Sequence, residues 1–467
     1  MHRRGRDLTQ GSIPKNLWWL AWPQVVEGVL NVVDQLVDII WAGLISISAI
    51  AGVGIAQTYR QLVMTGRMGL DTAMSAQVSR AIGAKNDALA NHLALQGFTL
   101  SAAFSTVVGL TGAILTVPLM RLLGLGDDII DTASFYLRIQ FLGVIALAFR
   151  QMSGAALQAA GNAVIPLKAT TLTRLTHIAL SPFLIFGWLG MPELGIAGAA
   201  LADVLAQFLG AAWNFWALFT GQSRLHLNLR SYRLDPLVLW RTAKLGGPAS
   251  VTGMERSIAQ LVVVGIVAGF GTVGIAAFSL TRRAENLAHL GAGGLARASG
   301  VLVGQNLGAG SPDRAKKTVV WALGYVATMA FITAGLMYVF AVPILKIFTR
   351  DPALVPVATD WLRILVISYL FLGTGQVFAQ SFNTAGDTIA PMLVTLFSIW
   401  GVQQSLALML TGESHTVAIL GIVFTLPVLA HMGQLGVAWA ISIAMAVRTA
   451  LYVPYFLWGP WLKKRVI

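Results

Sequence analysis

The 467 residues contain no cysteine, so neither a disulfide nor a thiolate metal site can form. Charge is also scarce. Asp, Glu, Lys and Arg make up 11% of the chain, against about 25% in soluble domains. Long polar stretches are few, which excludes water as the main solvent. The basic start "MHRRGRDLTQGSIPKN" leads into a full-length apolar run rather than a short cleavable core, so no signal peptide is expected. The seven His are scattered, and no nucleophile triad or metal cluster stands out. We therefore expect neither an enzyme nor a cofactor.

What is present in excess is apolar residue, 56% of the chain. Runs of roughly 20 apolar residues recur, each long enough to cross about 30 Å of hydrocarbon. They predict twelve spans, the first over 17–43 and the last over 435–459, with the second (47–79) and eighth (272–304) unusually long. The formal charge of +13 does not call for nucleic acid. Eighteen Lys and Arg fall in loops on the N-terminal side, and three (Arg121, Lys346 and Arg350) on the other. That asymmetry places both termini in the cytoplasm and the chain in the cell membrane.

The second half repeats the first. Leu137-Arg138-Ile139 matches Leu362-Arg363-Ile364, Gly161 matches Gly386, and Pro166 matches Pro391, each 225 residues apart. Pro23, Gly28 and Gly83 find Pro248, Gly253 and Gly308 at the same offset. Six spans per repeat give two lobes of the same orientation. The expected division is 1–220, a cytoplasmic linker over 221–240, and 241–467. Beyond the eleventh span the offset becomes 241, with about 16 extra residues in 412–434 that read as a lid or a re-entrant hairpin on the outer side. Two equal six-helix bundles around a central cleft suit an alternating-access transporter.

Several stretches carry a family resemblance: "LTQGSIPKNLWWLAWPQVV", "QLVDIIWAGLISISAIAGVGIA", "LQAAGNAVIP", "PELGIAGAALADVLAQ" and "VGQNLGAGSPDRAKK". In this order and spacing they resemble the multidrug and toxic compound extrusion (MATE) family over essentially the whole chain. The resemblance implies a V-shaped pair of bundles. It also implies export of organic, often cationic compounds, driven by inward flow of H+ or Na+. It gives Asp38, in Val37-Asp38, the role of the first-helix acid. Relatives often carry Asn and Asp four apart in the fifth helix. Here His177 stands for the Asn, and Ser181 precedes Pro182 where the Asp would be. Glu255 falls at or within one position of an acid that some relatives use in the seventh helix. "VGQNLGAGSPDRAKK" lacks the G-x-x-x-x-G-K-[ST] pattern of a phosphate loop.

On a helical wheel, Gln24, Glu27, Asn31, Asp34, Gln35 and Asp38 fall within an arc of about 100°. A charge at mid-bilayer costs about 2.5–3.5 kcal/mol on insertion scales, so this arc faces water or a partner rather than lipid. Asp34 and Asp38 lie one turn apart, and their titrations are coupled. One reading is a switch in which an incoming proton, or Na+ bound at Asp38, displaces a cationic substrate. The other is structural pairing with Arg60, Arg67 or Arg174. Asp203 in the sixth span either replaces the missing fifth-helix acid or pairs with Arg174. His177 is a candidate proton relay. Arg282, Glu285 and His289 read as an ion-pair network. Gln376, Gln380 and Asn383 form an i, i+4, i+7 face that is a candidate cleft lining. The second copy has Ala259 and Val263 opposite Asp34 and Asp38, which makes the acids specific to the first lobe. The partners expected are a small-molecule substrate and the lipid bilayer, with the chain acting as a monomer. A lipid-linked precursor flippase of the same superfamily is the alternative, favoured by Arg60, Arg67, Arg138, Arg150 and Arg174.

Overall fold

A computed structural model describes residues 6–122, 126–412, 415–419, 422–464 and 466. Among the described residues, twelve long helices carry the fold. The first six are α1 (Ile13–Ile45), α2 (Ile47–Gly83), α3 (Asp87–Ile114), α4 (Asp127–Ala159), α5 (Val164–Phe186) and α6 (Ile196–Phe219). The remainder are α7 (Pro236–Ala268), α8 (Gly271–Gly308), α9 (Pro312–Val339), α10 (Leu354–Ala385), α11 (Ile389–Leu410) and α12 (Leu435–Trp458). Among the described residues, nine of these are long and apolar enough to cross a membrane. The other three predicted spans coincide with α2, α5 and α8. Those helices bear Arg60, Arg67 and Asp71, then Lys168 and Arg174, then Arg282 and Glu285.

Helix ends follow local chemistry. Pro14 lies in the first turn of α1, where no amide needs an acceptor. The Ser46 and Asn86 side chains accept the Ala49 and Leu89 amides and cap α2 and α3. Gly161 (φ +89°) and Gly386 (φ +98°) follow α4 and α10 in the left-handed region that stops a helix. The repeat is visible in the elements too. Short helices Thr116–Leu122 and Ala341–Phe348 start 225 residues apart, as do α3 and α9.

The chain forms two compact units. One comprises residues 1–250, 304–311 and 466–467; the other comprises 251–303 and 312–465. The division falls inside α7 rather than in the expected linker over 221–240. The linker is short and pinned. Asn91 on α3 accepts the Asn228 amide at 2.9 Å. Gln96 donates to the Arg233 carbonyl at 2.6 Å and accepts the Asp235 amide at 3.2 Å. Leu225 and Leu227 are buried with Met74, Phe98 and Met152. Asp235 then caps α7, and the Val238 amide above all, with the Leu237 amide and His92, holds its carboxyl below the usual carboxylate range. Gln96→Leu removes both backbone bonds of a fully buried side chain. It should cost about 1–3 kcal/mol, read as a lowered unfolding temperature in detergent; an unchanged value would show that the clamp contributes nothing.

In the first unit two apolar clusters occupy opposite stretches of the same helices. One contains Ala42, Val53, Tyr136, Phe141, Ile185 and Ala200. The other contains Met74, Val78, Phe98, Met152 and Leu218. Between them along α2, α4 and α6 come Arg60, Arg150, Asp203 and Gln207, so a polar layer crosses the middle of the bundle. The second unit packs Phe278, Trp361, Tyr369 and Ala440 into its own core. Two features depart from regular α-helix. Phe397–Gln404 inside α11 is π-helical. Strands β1 (His415–Ile419) and β2 (Ile422–Leu426) pair antiparallel, so the expected hairpin in 412–434 is a β-hairpin.

Candidate functional site

Five helices, α1, α2, α4, α5 and α6, supply the polar layer of the first unit. On α5, Thr170, Thr173, Arg174, His177 and Ser181 recur at helical spacing and are all buried. On α6, Asp203, Gln207, Gly210 and Asn214 do the same. Gly210 is required by close approach, because a Cβ there would lie 2.0 Å from Thr173 Oγ1 and 2.9 Å from Arg150 Cδ. The missing side chain lets α6 close onto α5.

The three acids expected to act are brought together, each with a positive or protonatable partner. Arg174 Nη1 donates to Asp34 Oδ2 at 2.6 Å and lies 3.6 Å from Asp203 Oδ1. Arg174 Nε donates to Asn31 Oδ1 at 3.1 Å. His177 lies between the first-helix acids, with Nδ1 2.8 Å from Asp34 Oδ1 and Nε2 3.4 Å from Asp38 Oδ1. Arg60 Nη1 donates to the other Asp203 oxygen at 2.9 Å, and Gln207 donates to Oδ1 at 2.9 Å. Arg150 extends the layer through Gln207 (2.5 Å) and Thr170 (3.0 Å).

These contacts change the electrostatic reading of the acidic stripe. Asp34, Asp38 and Asp203 are matched by Arg60, Arg174 and, through Gln207, Arg150. The layer is close to neutral rather than an acidic hole awaiting a cation. The pairing is physically demanded. At an effective dielectric constant of about 20, two bare carboxylates about 5 Å apart repel by roughly 3 kcal/mol. A cavity of about 20 Å³ adjoins the layer between α2, α4 and α6, with Arg60, Gln140, Asp203 and Gln207 in its wall. It has room for a water molecule beside the Arg60–Asp203 pair.

The remaining predicted residues fall elsewhere. Ser181 donates to the carbonyl of His177 at 2.7 Å, four residues back, so its hydroxyl fastens its own helix rather than replacing an acid. Gln35, at the edge of the predicted arc, is exposed. Gln24 is buried and donates to the Leu20 carbonyl. Glu27 lies in electrostatic reach of Arg150, one turn before Asn31. Arg67 belongs to a separate network with Asp71, Ser101 and Gln151, because it lies two turns further along α2. Glu255, Gln376, Gln380 and Asn383 are in the second unit. Glu255 is buried and feels Arg448 and Arg256. Gln380 packs beside Gly300. Arg282 pairs with Glu285 and Gln260 at 2.9 Å each, whereas the side chain of His289 lies outside the described residues. Sequence reasoning missed Gln207, although its spacing of four from Asp203 was the available signal.

Two segments, 23–183 and 248–409, match the MatE family model. The chain belongs to the MATE family. The two matches begin 225 residues apart (248 − 23 = 225), the offset of the internal repeat. The probable multidrug resistance protein NorM of Thermotoga maritima is 27% identical, over 98% of this chain and 95% of its own. The probable multidrug resistance protein YoeA of Bacillus subtilis is 26% identical, over 86% of this chain and 87% of its own. An outward-facing structure of a multidrug resistance MATE family transporter superposes with a TM-score of 0.88 at 21% identity, covering both chains fully. The MATE fold, a multi-pass membrane transporter fold, accounts for the twelve long helices.

Proposed function

We propose that this MATE protein is a secondary-active exporter of organic, amphipathic and cationic compounds, driven by inward exchange of H+ or Na+ across the plasma membrane. Its termini face the cytoplasm, and it acts as a monomer. The observation that carries the reading is His177 bridging Asp34 and Asp38. One imidazole stands between the two acids, hydrogen-bonded to Asp34 at 2.8 Å and 3.4 Å from Asp38, so a small approach completes a proton path from one to the other. Charging or neutralising any member alters the hold of Arg174 and Arg60 on α1 and α6. A bistable bundle converts that change into alternating access. Relatives named as multidrug resistance proteins favour export over the lipid-precursor alternative.

The test is efflux of a cationic dye from proteoliposomes, first under an imposed proton gradient and then under a sodium gradient. Dye movement under either supports the exchanger, and none under both overturns it. Asp38→Asn should lower gradient-driven efflux at least tenfold while leaving the folded yield near wild type, because Asp38 is 13% exposed and its contact with His177 is 3.4 Å. Full efflux by that variant would remove the first-helix acids from coupling.

A further inference from the structure

We propose that Arg174 is a tethered cation. Its guanidinium fills the carboxylate cradle that Asp34 and Asp203 form between α1 and α6, and excludes Na+ from it. The inference rests on the exchange reading above only for its consequence in coupling; the occupancy of the cradle stands without it.

The cradle has the makings of a metal-ion site. Among the described residues, Asp34, His177 and Asp203 each bring one ligand-type atom to within 4.8 Å of the others. All three side chains are buried. Asn31 adds an amide oxygen one turn away on α1. Carboxylate and carbonyl oxygens are the donors that hard cations take. The position such an ion would need is held by Arg174. Its Nη1 is 2.6 Å from Asp34 Oδ2 and 3.6 Å from Asp203 Oδ1, and its Nε takes Asn31 Oδ1. The free oxygens are engaged as well. Arg60 holds Asp203 Oδ2, and His177 holds Asp34 Oδ1. A sodium ion entering here would have to displace a guanidinium from two carboxylates and set a further positive charge beside Arg60 and Arg150.

Arginine also cannot be discharged. A guanidinium stays protonated in proteins, so no pH change empties the cradle. The bundle therefore denies this seat to Na+ by keeping it filled.

The experiment is saturable 22Na+ binding to purified full-length protein in detergent, with choline as the balancing cation. Wild type should show no saturable binding. Arg174→Ala should gain one saturable site, lost again in the Arg174→Ala/Asp34→Asn double variant. Arg174→Gln is the alternative truncation if the alanine variant does not stay monodisperse. Arg174→Lys, which keeps the charge, should remain without binding. Saturable binding to wild type that Asp34→Asn abolishes would overturn the proposal. So would a monodisperse Arg174→Ala or Arg174→Gln protein that binds no Na+. Absence of dye efflux under both gradients would overturn the exchange reading and leave this one standing.

Discussion

Asp34→Asn is expected to cost about 3–5 kcal/mol of stability and to reduce ion-driven efflux at least tenfold. The substitution keeps shape and volume and removes one charge. Arg174 would then hold only Asn31 and the more distant Asp203 oxygen, and His177 would lose its carboxylate at 2.8 Å. Both Asp34 and Arg174 are buried, at 5% and 7% side-chain exposure, so water does not replace the lost partner. Removing one member of a buried pair leaves an uncompensated charge, which is where a cost of about 3–5 kcal/mol arises. The contrast with Asp38→Asn is diagnostic. Asp38 is more exposed, at 13%, and its contact is 3.4 Å, so it should lose transport with little loss of stability. Thermal unfolding of both variants in detergent, beside vesicle efflux, separates the two effects. Equal unfolding temperatures would mean that the Asp34–Arg174 pair does not hold α1 to α5.

Gly308→Ala and Gly83→Ala are each expected to cut the yield of monodisperse protein several-fold. A Cβ at Gly308 would lie 2.1 Å from the Arg80 carbonyl oxygen, and one at Gly83 would lie 2.0 Å from that of Gln305. Both obstacles are backbone, so no side-chain rotation relieves them, and the ends of α2 and α8 must separate. Overpacking of this kind costs about 1–3 kcal/mol or more. Gln305 adds a bond to the Ala159 carbonyl at 2.7 Å that the same shift would break. Because each glycine abuts the other helix, the double variant should be less damaging than the sum of the singles. Gly324→Ala on α9 is the control. No atom lies within 4 Å of its added methyl, so it should be neutral or slightly stabilising. Size-exclusion profiles of the four variants decide the matter. A normal profile for Gly83→Ala would show that the crossing yields easily.

The spans and the duplication were legible because hydropathy and spacing are properties of neighbouring residues. Twelve predicted spans meet twelve long helices, and the glycines at 161 and 386 stop α4 and α10 in the same way. The wheel also grouped Asn31, Asp34 and Asp38 correctly, since a helix fixes which side chains share a face. It could not say what that face meets. Arg174 lies 140 residues from Asp34, and no local pattern joins them. Pairing and coupling had seemed rival fates for the acids, yet the same residues are paired and gathered into one cluster. The Ser181 hydroxyl bonds backward to its own turn, a contact that the wheel does not display. The π-helical stretch was hidden for a different reason. The apolar pattern of 397–404 is the same whether the backbone is α- or π-helical, so nothing in it marks the change.

The pinned linker bears on how a duplicated chain comes to be one molecule. Two ancestral half-length proteins joined by a slack tether could be cut apart again without harm. Here the joining peptide presents Leu225 and Leu227 to the interior and lends its amides and carbonyls to Asn91 and Gln96. A gene split at this point would leave the first product with an uncovered apolar face and unmet side-chain amides. The residues that connect the two copies also complete the first of them.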